Sequence, residues 1–469
     1  VCSVSSWVFM TKLNFGLLLQ SHNGARWVLL DFLIGVLAMF LGLTLTPYID
    51  VYEVYNRVIV CVCYGGALVL CVRLCGLYAH RMQHLFSRYD ILLGSVQASV
   101  FAFVAIGLVV NFTHVHVFGR YVSGIVIIVS ALSLSLVRVL AKLYLEKNPL
   151  RIVLLGCNEL TREFAERVSA DSHFKIVSVA CAVECEDALI EKQFEFKIID
   201  NVSDFASYLR KSDVEMVVSC YNRSIPSKMY DLMEILPSSH IDLLNKGAFL
   251  EIFFREVSVS YRNLHWQGAN FFKPARGAVT SLKRVIDICV SFPALLFTLP
   301  LWLVVILIVK LDSAGSAFYS QTRVGLLGRP FKIHKFRTMT IEAEKNGVQW
   351  ATKGDTRITR VGALLRKTRL DELPQLWNVL KGDMSLVGPR PERPEFVEML
   401  KKEIPLYEWR HLVKPGLTGW AQILFKYGES VADARRKLQY DLFYIKNFCI
   451  TLDLQILIRT IPLIMKGSQ

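Results

Sequence analysis

Four long apolar stretches in the first third of the chain limit its fold more than any other feature. They cover residues 27–45, 58–78, 91–112 and 121–145. Each is close to the roughly 20 residues that a helix needs to cross the hydrocarbon core of a bilayer. Hydrophobic residues make up 53% of the 469-residue chain, more than a soluble protein usually carries. The sequence therefore predicts a four-helix transmembrane domain over residues 1–147.

Charged residues near these stretches indicate how the bundle is oriented. We expect Asp31 and Arg73, which interrupt two of the stretches, to snorkel to the interface rather than to act inside the bundle. The basic residues that would share one side of the membrane are Lys12, Arg26, Arg81, Arg88, Arg138, Lys142, Lys147 and Arg151. The positive-inside rule then places the N-terminus and everything after residue 145 in the cytoplasm.

The formal net charge of +14 also limits the class of partner. Such a charge suits nucleic acid, anionic lipid or a small phosphorylated molecule. In a membrane protein the last two are favoured, so we expect contacts with membrane lipids and a phosphorylated substrate, and no nucleic acid.

Residues 148–256 change to the pattern of a soluble α/β domain. The segment "RIVLLGCNELTREFAERVS" is an apolar strand, a glycine turn and an amphipathic helix, and further short apolar strands follow. This rhythm predicts a Rossmann-like, doubly wound parallel sheet. Gly156 supplies only the first glycine of the dinucleotide fingerprint G-x-G-x-x-G. A structural or regulatory domain is therefore favoured over a nucleotide-binding one.

A fifth apolar run follows a linker that we place at residues 257–279. If it crossed the bilayer, the many Lys and Arg residues after it would lie outside, against the positive-inside rule. Both of its ends are basic, with Lys283 and Arg284 before it and Lys310 after it. We therefore predict a re-entrant helix over about residues 283–310 that enters and returns, broken near Pro300. A kinked ordinary span is the alternative.

Residues 280–469 contain a paired acid inside a basic segment. In "TRLDELPQLWNVLKGD" the apolar residues recur at helical spacing and Pro374 fits only a first turn, so Asp371 is expected near the helix N-cap and Glu372 in the first turn. That position keeps a carboxylate ionised, as a nucleophile or a Mg2+ ligand requires. The cations nearby in sequence are Arg366, Lys367, Arg369 and Arg390. An exposed salt-bridge ladder is the alternative.

A second basic stretch, "SQTRVGLLGRPFKIHKFRTM", precedes the paired acid. It offers Arg323, Lys335 and Arg337, whose charges suit a diphosphate, Arg through two-pronged hydrogen bonding and Lys as a point charge. As a strand it would place Lys332 and His334 on one face. We expect these cations to bind substrate.

The motifs together carry a resemblance. "KRVID", "SQTRVG", "FKIHKFRTM", "TRLDELPQLWNVLKGDMSLVGPRP" and "KPGLTGWAQI" follow one another over residues 280–469 as in the bacterial polyprenyl-phosphate sugar phosphotransferases, the monotopic phosphoglycosyltransferases. The first 270 residues resemble the long-form members, which add four membrane helices and a Rossmann-like domain. One residue departs from the pattern: Leu299 stands before Pro300, where many members carry serine.

The resemblance implies an activity and a location. Members move a sugar 1-phosphate from a UDP-sugar to undecaprenyl phosphate, release UMP, and so begin exopolysaccharide, capsule or O-antigen synthesis. The implied location is the bacterial inner membrane, with the catalytic domain on the cytoplasmic face. A hexose such as glucose or galactose is favoured, and a homodimer is left open.

The resemblance also implies roles for single residues. Asp371 would be the nucleophile that forms an aspartyl-phosphosugar, and Glu372 would help bind Mg2+. Arg390, which follows Pro389 in "GPRP", would contact the nucleotide; a structural pairing with Glu392 or Glu395 is its alternative. Lys283, Arg284, Asp287 and Pro300 would belong to the re-entrant helix.

The whole chain is thus predicted to be a membrane protein with α and α/β regions and a mainly α catalytic domain. Two other functions remain open. A non-catalytic membrane sensor of nucleotide or lipid would not need the Asp-Glu pair. A metal-dependent glycosyltransferase that releases UDP would carry a D-x-D motif, and this region has a contiguous D-E pair instead. The apolar stripe at residues 431–445 fits either an interfacial helix or core packing.

Overall fold

The computed structural model describes residues 25–45, 54–75, 77, 88–112, 120–181, 193–199, 201–221, 241–259, 277–341, 343, 355–425 and 430–466. Contacts divide the chain into two compact units, which meet in sequence between Phe254 and Arg255. Most of the predicted linker, residues 260–276, lies outside the described residues.

The first unit begins with long apolar helices at the predicted positions. They are α1 (Ala25–Thr44), α2 (Val54–Leu74), α3 (Arg88–Phe112) and α4 (Arg120–Lys147). Three of them contain segments long and apolar enough to cross a membrane, whereas the apolar part of α2 is shorter, Val58–Leu74. The helices approach closely where small residues meet: a Cβ on Gly35 would lie 2.8 Å from the Cα of Gly65.

A buried ion pair joins α1 to α4. The two carboxylate oxygens of Asp31 accept hydrogen bonds from Arg138 Nη1 at 3.1 Å and Nη2 at 2.6 Å. Both side chains are at most 1% exposed. The prediction that Asp31 snorkels to the interface is therefore wrong, because a buried carboxylate is more stable beside a cation inside the bundle. Arg73, in the last turn of α2, is exposed.

A five-stranded parallel sheet follows the helices in the same unit. Its strands are β1 (Leu150–Leu155), β2 (Phe174–Cys181), β3 (Phe196–Ile198), β4 (Met216–Ser219) and β5 (Asp242–Asn245), in the order β3-β2-β1-β4-β5. All neighbouring strands run parallel.

Helices cover both faces of this sheet. They are α5 (Glu159–Ser169), α6 (Val202–Lys211) and the short α7 (Lys246–Phe249), which continues into a π-helical turn. Leu154 of β1 packs with Phe164 of α5 in one apolar cluster, and Val153 packs with Phe205 of α6 in another. Side chains of a strand alternate between faces, so both faces of the sheet are buried, as a parallel sheet requires.

The second unit begins with α8, a 35-residue helix from Ala278 to Asp312. It is also long and apolar enough to cross a membrane. The backbone stays helical through Pro293 and Pro300, so the predicted break near Pro300 is wrong. A proline removes one hydrogen bond, and the turns on either side can still hold the helix together.

The two ends of α8 contact the rest of the second unit. Near its start, Arg284 donates to the carbonyls of Val379 and Leu380. Near its end, Val309 packs in an apolar cluster with Phe336. No residue between positions 292 and 304 is buried.

Short helices and strands complete the second unit. They are β6 (Phe318–Val324), β7 (Pro330–Phe336), α9 (Arg360–Thr368), α10 (Gln375–Lys381), β8 (Ser385–Val387), α11 (Pro394–Glu403), β9 (Gly416–Thr418), α12 (Trp420–Leu424), α13 (Val431–Lys446) and α14 (Ile450–Lys466). Strand β6 pairs antiparallel with β7, and β8 pairs parallel with β9. The second half of α13 is buried on all sides, so the part of the stripe from Leu438 to Ile445 belongs to the core, whereas Val431 and Ala434 are half-buried.

Candidate active site

The Asp-Glu pair lies in a tight turn between two helices. Helix α9 ends at Arg369, whose φ of 55° is left-handed, and a 3-10 turn then spans Leu370–Glu372. Helix α10 begins only after Pro374. The pair therefore precedes the helix, and the prediction that Asp371 caps it is wrong by about one turn. The left-handed residue ends α9 early and leaves room for a separate turn.

Three cations converge on Glu372. Arg390 Nη2 donates to Glu372 Oε1 at 2.7 Å, and Lys335 Nζ lies 3.5 Å from the same oxygen. Arg369 Nη1 lies 3.6 Å from Oε2. The Glu372 side chain is 10% exposed and that of Arg390 is 29% exposed. The carboxylate is therefore largely buried, while solvent reaches the arginine that binds it.

Asp371 is close to the same charges but is not tied to them. The residue is 7% exposed. Among the described residues, its carboxylate takes part in no hydrogen bond and no ion pair. A carboxylate oxygen that is held by no partner can attack an electrophile or accept a metal ion.

The environment separates the pKa values of the two carboxyl groups. Burial raises the pKa of Asp371 above its ordinary value, and Lys335 opposes this shift. Burial alone would also raise the pKa of Glu372, but Arg390, Lys335 and Arg369 outweigh it and lower that pKa to about 2. Adjacent acids whose pKa values are driven apart are typical of sites where the two carry different tasks.

Of the residues predicted to bind substrate, the structure brings Lys335 and Arg390 to the pair. Burial lowers the pKa of Lys335, and the charge of Glu372 opposes this. The two structural alternatives for Arg390 find other partners: Glu392 lies 3.6 Å from Arg323, and Glu395 lies 3.5 Å from Arg393.

Arg337 does not join the site. Its guanidinium donates to the carbonyls of Ser313 and Ala314 at 2.6 Å each, directly after the end of α8. Both Nη atoms of Arg337 are thus bound to the backbone that follows α8, and substrate binding by Arg337 stays a prediction. Arg323 donates to the carbonyl of Pro391 and to Gln321.

The polar residues at the start of α8 bind the unit that carries the site. Lys283 Nζ lies 2.6 Å from Asp453 Oδ2. Asp287 accepts hydrogen bonds from Ser385 Oγ at 3.0 Å and from the Leu386 N–H at 2.9 Å. Arg284 bonds to the last turn of α10, the helix that follows the Asp-Glu pair.

Several residues that border the site have no signature in the sequence. Pro389 and Arg390 line a pocket together with Val324, Gly325, Pro391, Arg410, His411, Val413 and Pro415. Arg366, noted only for its charge, donates through Nε to Thr338 Oγ1 at 2.9 Å. Nothing in the local sequence distinguishes Arg410 or His411 from surface residues, so no pattern could have selected them.

Comparison with known proteins identifies the family of the region that carries the site. The model of the family described as bacterial sugar transferase matches residues 278–467. A Bacillus subtilis protein named putative undecaprenyl-phosphate N-acetylgalactosaminyl 1-phosphate transferase is 52% identical over 130 residues, 28% of this chain and 73% of that protein.

This chain belongs to the bacterial sugar transferase family.

Two further relatives of this sugar transferase differ in their named sugar. The UDP-N-acetylgalactosamine-undecaprenyl-phosphate N-acetylgalactosaminephosphotransferase of Aeromonas hydrophila is 47% identical over 186 residues, 40% of this chain and 44% of the relative. The UDP-glucose:undecaprenyl-phosphate glucose-1-phosphate transferase of Caulobacter vibrioides is 44% identical over 189 residues, 40% of this chain and 71% of the relative. The chain thus spans less than half the length of the Aeromonas relative.

Proposed function

We propose that this protein transfers a sugar 1-phosphate from a UDP-sugar to undecaprenyl phosphate and releases UMP. The observation that carries the proposal is the division within the Asp-Glu pair: Glu372 is surrounded by cations, whereas the neighbouring Asp371 carboxylate has no hydrogen bond or ion pair with any described residue. The family membership and the names of the relatives support the same reaction.

The transfer would occur in two displacement steps. An oxygen of Asp371 attacks the sugar-bearing phosphorus of the UDP-sugar, the bond from that phosphorus to the bridging oxygen breaks, and UMP leaves. An oxygen of undecaprenyl phosphate then attacks the same phosphorus, the aspartyl bond breaks, and Asp371 is regenerated. Splitting the reaction in this way lets two bulky substrates use one site in turn. Lys335 and Arg390 would balance the negative charge of the diphosphate.

The carboxylate pair fits a magnesium ion. Mg2+ prefers oxygen ligands and usually binds one or two carboxylates, several waters and the substrate phosphates. Among the described residues there is no cluster of three or more His, Cys, Asp and Glu side chains, so this limited donor set is what the chain offers. Asp371 would hold the ion together with Glu372 Oε2, the oxygen that lies 3.6 Å from Arg369. When bound, it would neutralise charge on the diphosphate.

The membrane arrangement is also a proposal. Both ends of α8 contact the same unit and the middle of the helix is exposed, which supports a helix that enters the bilayer and returns. Because the backbone stays helical throughout, the return would need a bend at the prolines within the helix rather than a break. The Asp-Glu pair would then work at the cytoplasmic face of a bacterial inner membrane. Single cysteines from Thr280→Cys and Asp312→Cys should be labelled from the same side; labelling from opposite sides would indicate an ordinary span.

The parallel sheet of the first unit has the strand order of a Rossmann-like domain. We infer a structural or regulatory role for it, since the turn at Gly156 lacks two of the three fingerprint glycines. Binding of a nucleotide to the separately purified domain would count against this view.

The deciding experiment for the chemistry is trapping of the covalent intermediate. With a UDP-sugar and no lipid acceptor, intact-mass analysis should find one phosphosugar on the wild type and none on Asp371→Asn. Asp383→Asn is the matched control, because Asp383 lies nearby in sequence and pairs at 3.3 Å with the exposed side chain of Lys381; it should keep the label. A labelled Asp371→Asn variant would refute the nucleophile.

The nucleotide product separates the remaining functions. A panel of UDP-sugars that includes UDP-glucose, UDP-galactose and UDP-N-acetylgalactosamine should be offered with undecaprenyl phosphate. Release of UMP is expected with at least one sugar. Release of UDP would favour a glycosyltransferase, and no release with any sugar would favour a non-catalytic sensor.

A further inference from the structure

The loop that carries Arg390 is held through its carbonyl groups. We name residues Pro389 to Glu392 the PRPE loop. Its two prolines have no N–H to donate, so the loop cannot be fixed by a regular ladder. Instead four consecutive carbonyls accept bonds from outside: from Gly416 N–H at 2.9 Å, Arg410 Nη2 at 2.9 Å, Arg323 Nη1 at 3.1 Å and Val324 N–H at 3.0 Å.

Arg410 is the anchor of this arrangement. It is 6% exposed. The Nη2 atom that bonds the carbonyl of Arg390 also lies 3.0 Å from Asp441 Oδ2, and Nη1 donates to the hydroxyl of Tyr407 at 2.6 Å. Asp441 is 2% exposed and belongs to the buried half of α13. The guanidinium thus connects the core of the unit to the backbone of Arg390.

Close packing fixes the adjoining backbone. A Cβ on Gly416 would lie 2.1 Å from the nitrogen of Gly388, and one on Gly419 would lie 2.2 Å from the carbonyl oxygen of Gly388. Only glycine allows the chains to cross this closely. The backbone at Gly388, directly before the PRPE loop, is therefore held in place by this packing. The hydrogen bond from Arg410 to the Arg390 carbonyl then holds the loop itself.

We propose that Arg410 is a positioning residue for the transfer reaction, holding the backbone of Arg390 so that the Arg390 guanidinium reaches Glu372. The inference rests on the proposed function for its catalytic consequence. The backbone of Arg390 is bound on the core side by Arg410, while its side chain, 29% exposed, extends to Glu372 at 2.7 Å. A shift of the loop would move that guanidinium away from Glu372 and from any diphosphate beside it.

Lysine should not replace arginine here. The planar guanidinium serves Arg390, Asp441 and Tyr407 at once, and a single ammonium lacks that fork. Arg410→Lys should therefore keep the buried charge but release the Arg390 carbonyl. We expect kcat/KM for the UDP-sugar to fall roughly tenfold, the equivalent of one charge-assisted hydrogen bond.

The test compares Arg410→Lys with a matched variant on the same helix as Asp441. Arg436 on α13 pairs at 2.9 Å with Glu256, which is 1% exposed, and Arg436→Lys disturbs a buried ion pair without touching the PRPE loop. Hydrogen–deuterium exchange should rise in the peptide containing residues 388–396 for Arg410→Lys and not for Arg436→Lys. This readout does not depend on activity.

A double variant tests whether Arg410 acts through Arg390. In an Arg390→Lys background, Arg410→Lys should lower kcat/KM by less than about twofold, because coupled residues are non-additive. Full additivity, or equal exchange and kinetics in Arg410→Lys and Arg436→Lys, would overturn the inference. A wild type that releases no UMP would instead refute the proposed function, and the exchange comparison would still decide whether Arg410 holds the loop.

Discussion

Two buried carboxylates bonded to arginine, one in each unit, are built differently. Asp31 binds Arg138 through both oxygens, and neither side chain is more than 1% exposed. Glu372 binds Arg390 through one oxygen, has two further cations within 3.6 Å, and faces an arginine that is 29% exposed. The first pair is matched in charge and closed to solvent, whereas positive charge exceeds negative charge around the second.

The difference shows how to separate a structural ion pair from a binding site. A matched pair that is closed to solvent is out of reach of a ligand and mainly fixes how two helices meet. A carboxylate with an excess of cations at a surface can exchange some of its contacts for an incoming anion. Next to Glu372, the Asp371 carboxylate is bound by no described residue, and in the proposed function it is the nucleophile of this second site.

The largest expected effect falls on the catalytic side of the comparison. Asp371→Asn should lower the rate of UMP release by at least about a thousandfold, as removal of a nucleophile does in other enzymes. Asp31→Asn, measured in the same detergent, should keep its rate per folded molecule. An Asp31→Asn enzyme that folds normally and is equally inactive would break the distinction.

Mutation of the Asp31–Arg138 pair should lower the stability of the protein rather than its catalytic rate. Asp31→Asn leaves Arg138 buried without its counterion, and we expect a loss of about 3–5 kcal/mol in the free energy of unfolding. Glu372→Gln should cost less, because solvent reaches Arg390. Thermal unfolding in detergent measures both. The control is Asp31→Leu with Arg138→Leu, which should recover most of the loss; no recovery would mean that the ion pair is not its source.

The pH dependence of stability sharpens the comparison further. The pKa of Glu372 in the folded protein is about 2, below its ordinary value of 4.5. The unfolded chain therefore binds more protons between these values, and the stabilisation present above pH 4.5 is lost as the pH falls. Wild type should lose stability faster than Glu372→Gln on acidification in this window, by up to about 1 kcal/mol per pH unit. Parallel curves would contradict the charge cluster.

The smallest effect should come from Arg337, which belongs to neither of the two ion pairs compared above. Arg337→Lys loses bonds to the backbone after α8, so the free energy of unfolding should fall by about 1 kcal/mol. The KM for the UDP-sugar should change by less than about twofold, since the Arg337 guanidinium binds backbone carbonyls and not the Asp-Glu pair. A large rise in KM with unchanged stability would indicate that Arg337 binds the substrate.

Local sequence patterns predicted the positions of helices better than the contacts that individual side chains make. The apolar stretches located α1 to α4 because length and hydropathy are properties of a single segment. Asp31 was misplaced because its partner Arg138 lies 107 residues away, and no local pattern reports such a pair. The break at Pro300 was overestimated because a proline weakens a helix without always ending it.

The candidate site shows the same limit at the scale of side chains. Asp371 and Glu372 were found because two adjacent acids inside a basic segment are visible in the sequence. Arg337 and Lys335 are two residues apart in one motif, yet Lys335 faces Glu372 and Arg337 binds carbonyls. Carbonyl acceptors have no sequence signature, so the roles of Arg337 and Arg410 needed coordinates.

The start of α8 has a practical consequence for preparing this enzyme. Arg284 bonds the final carbonyls of α10, and Asp287 bonds the backbone of β8. Deleting the apolar helix to obtain a detergent-free catalytic fragment would leave those buried groups without partners. A fragment without α8 would gain solubility and lose contacts that the fold needs. Full-length protein in lipid nanodiscs or detergent should therefore fold better than the truncated fragment.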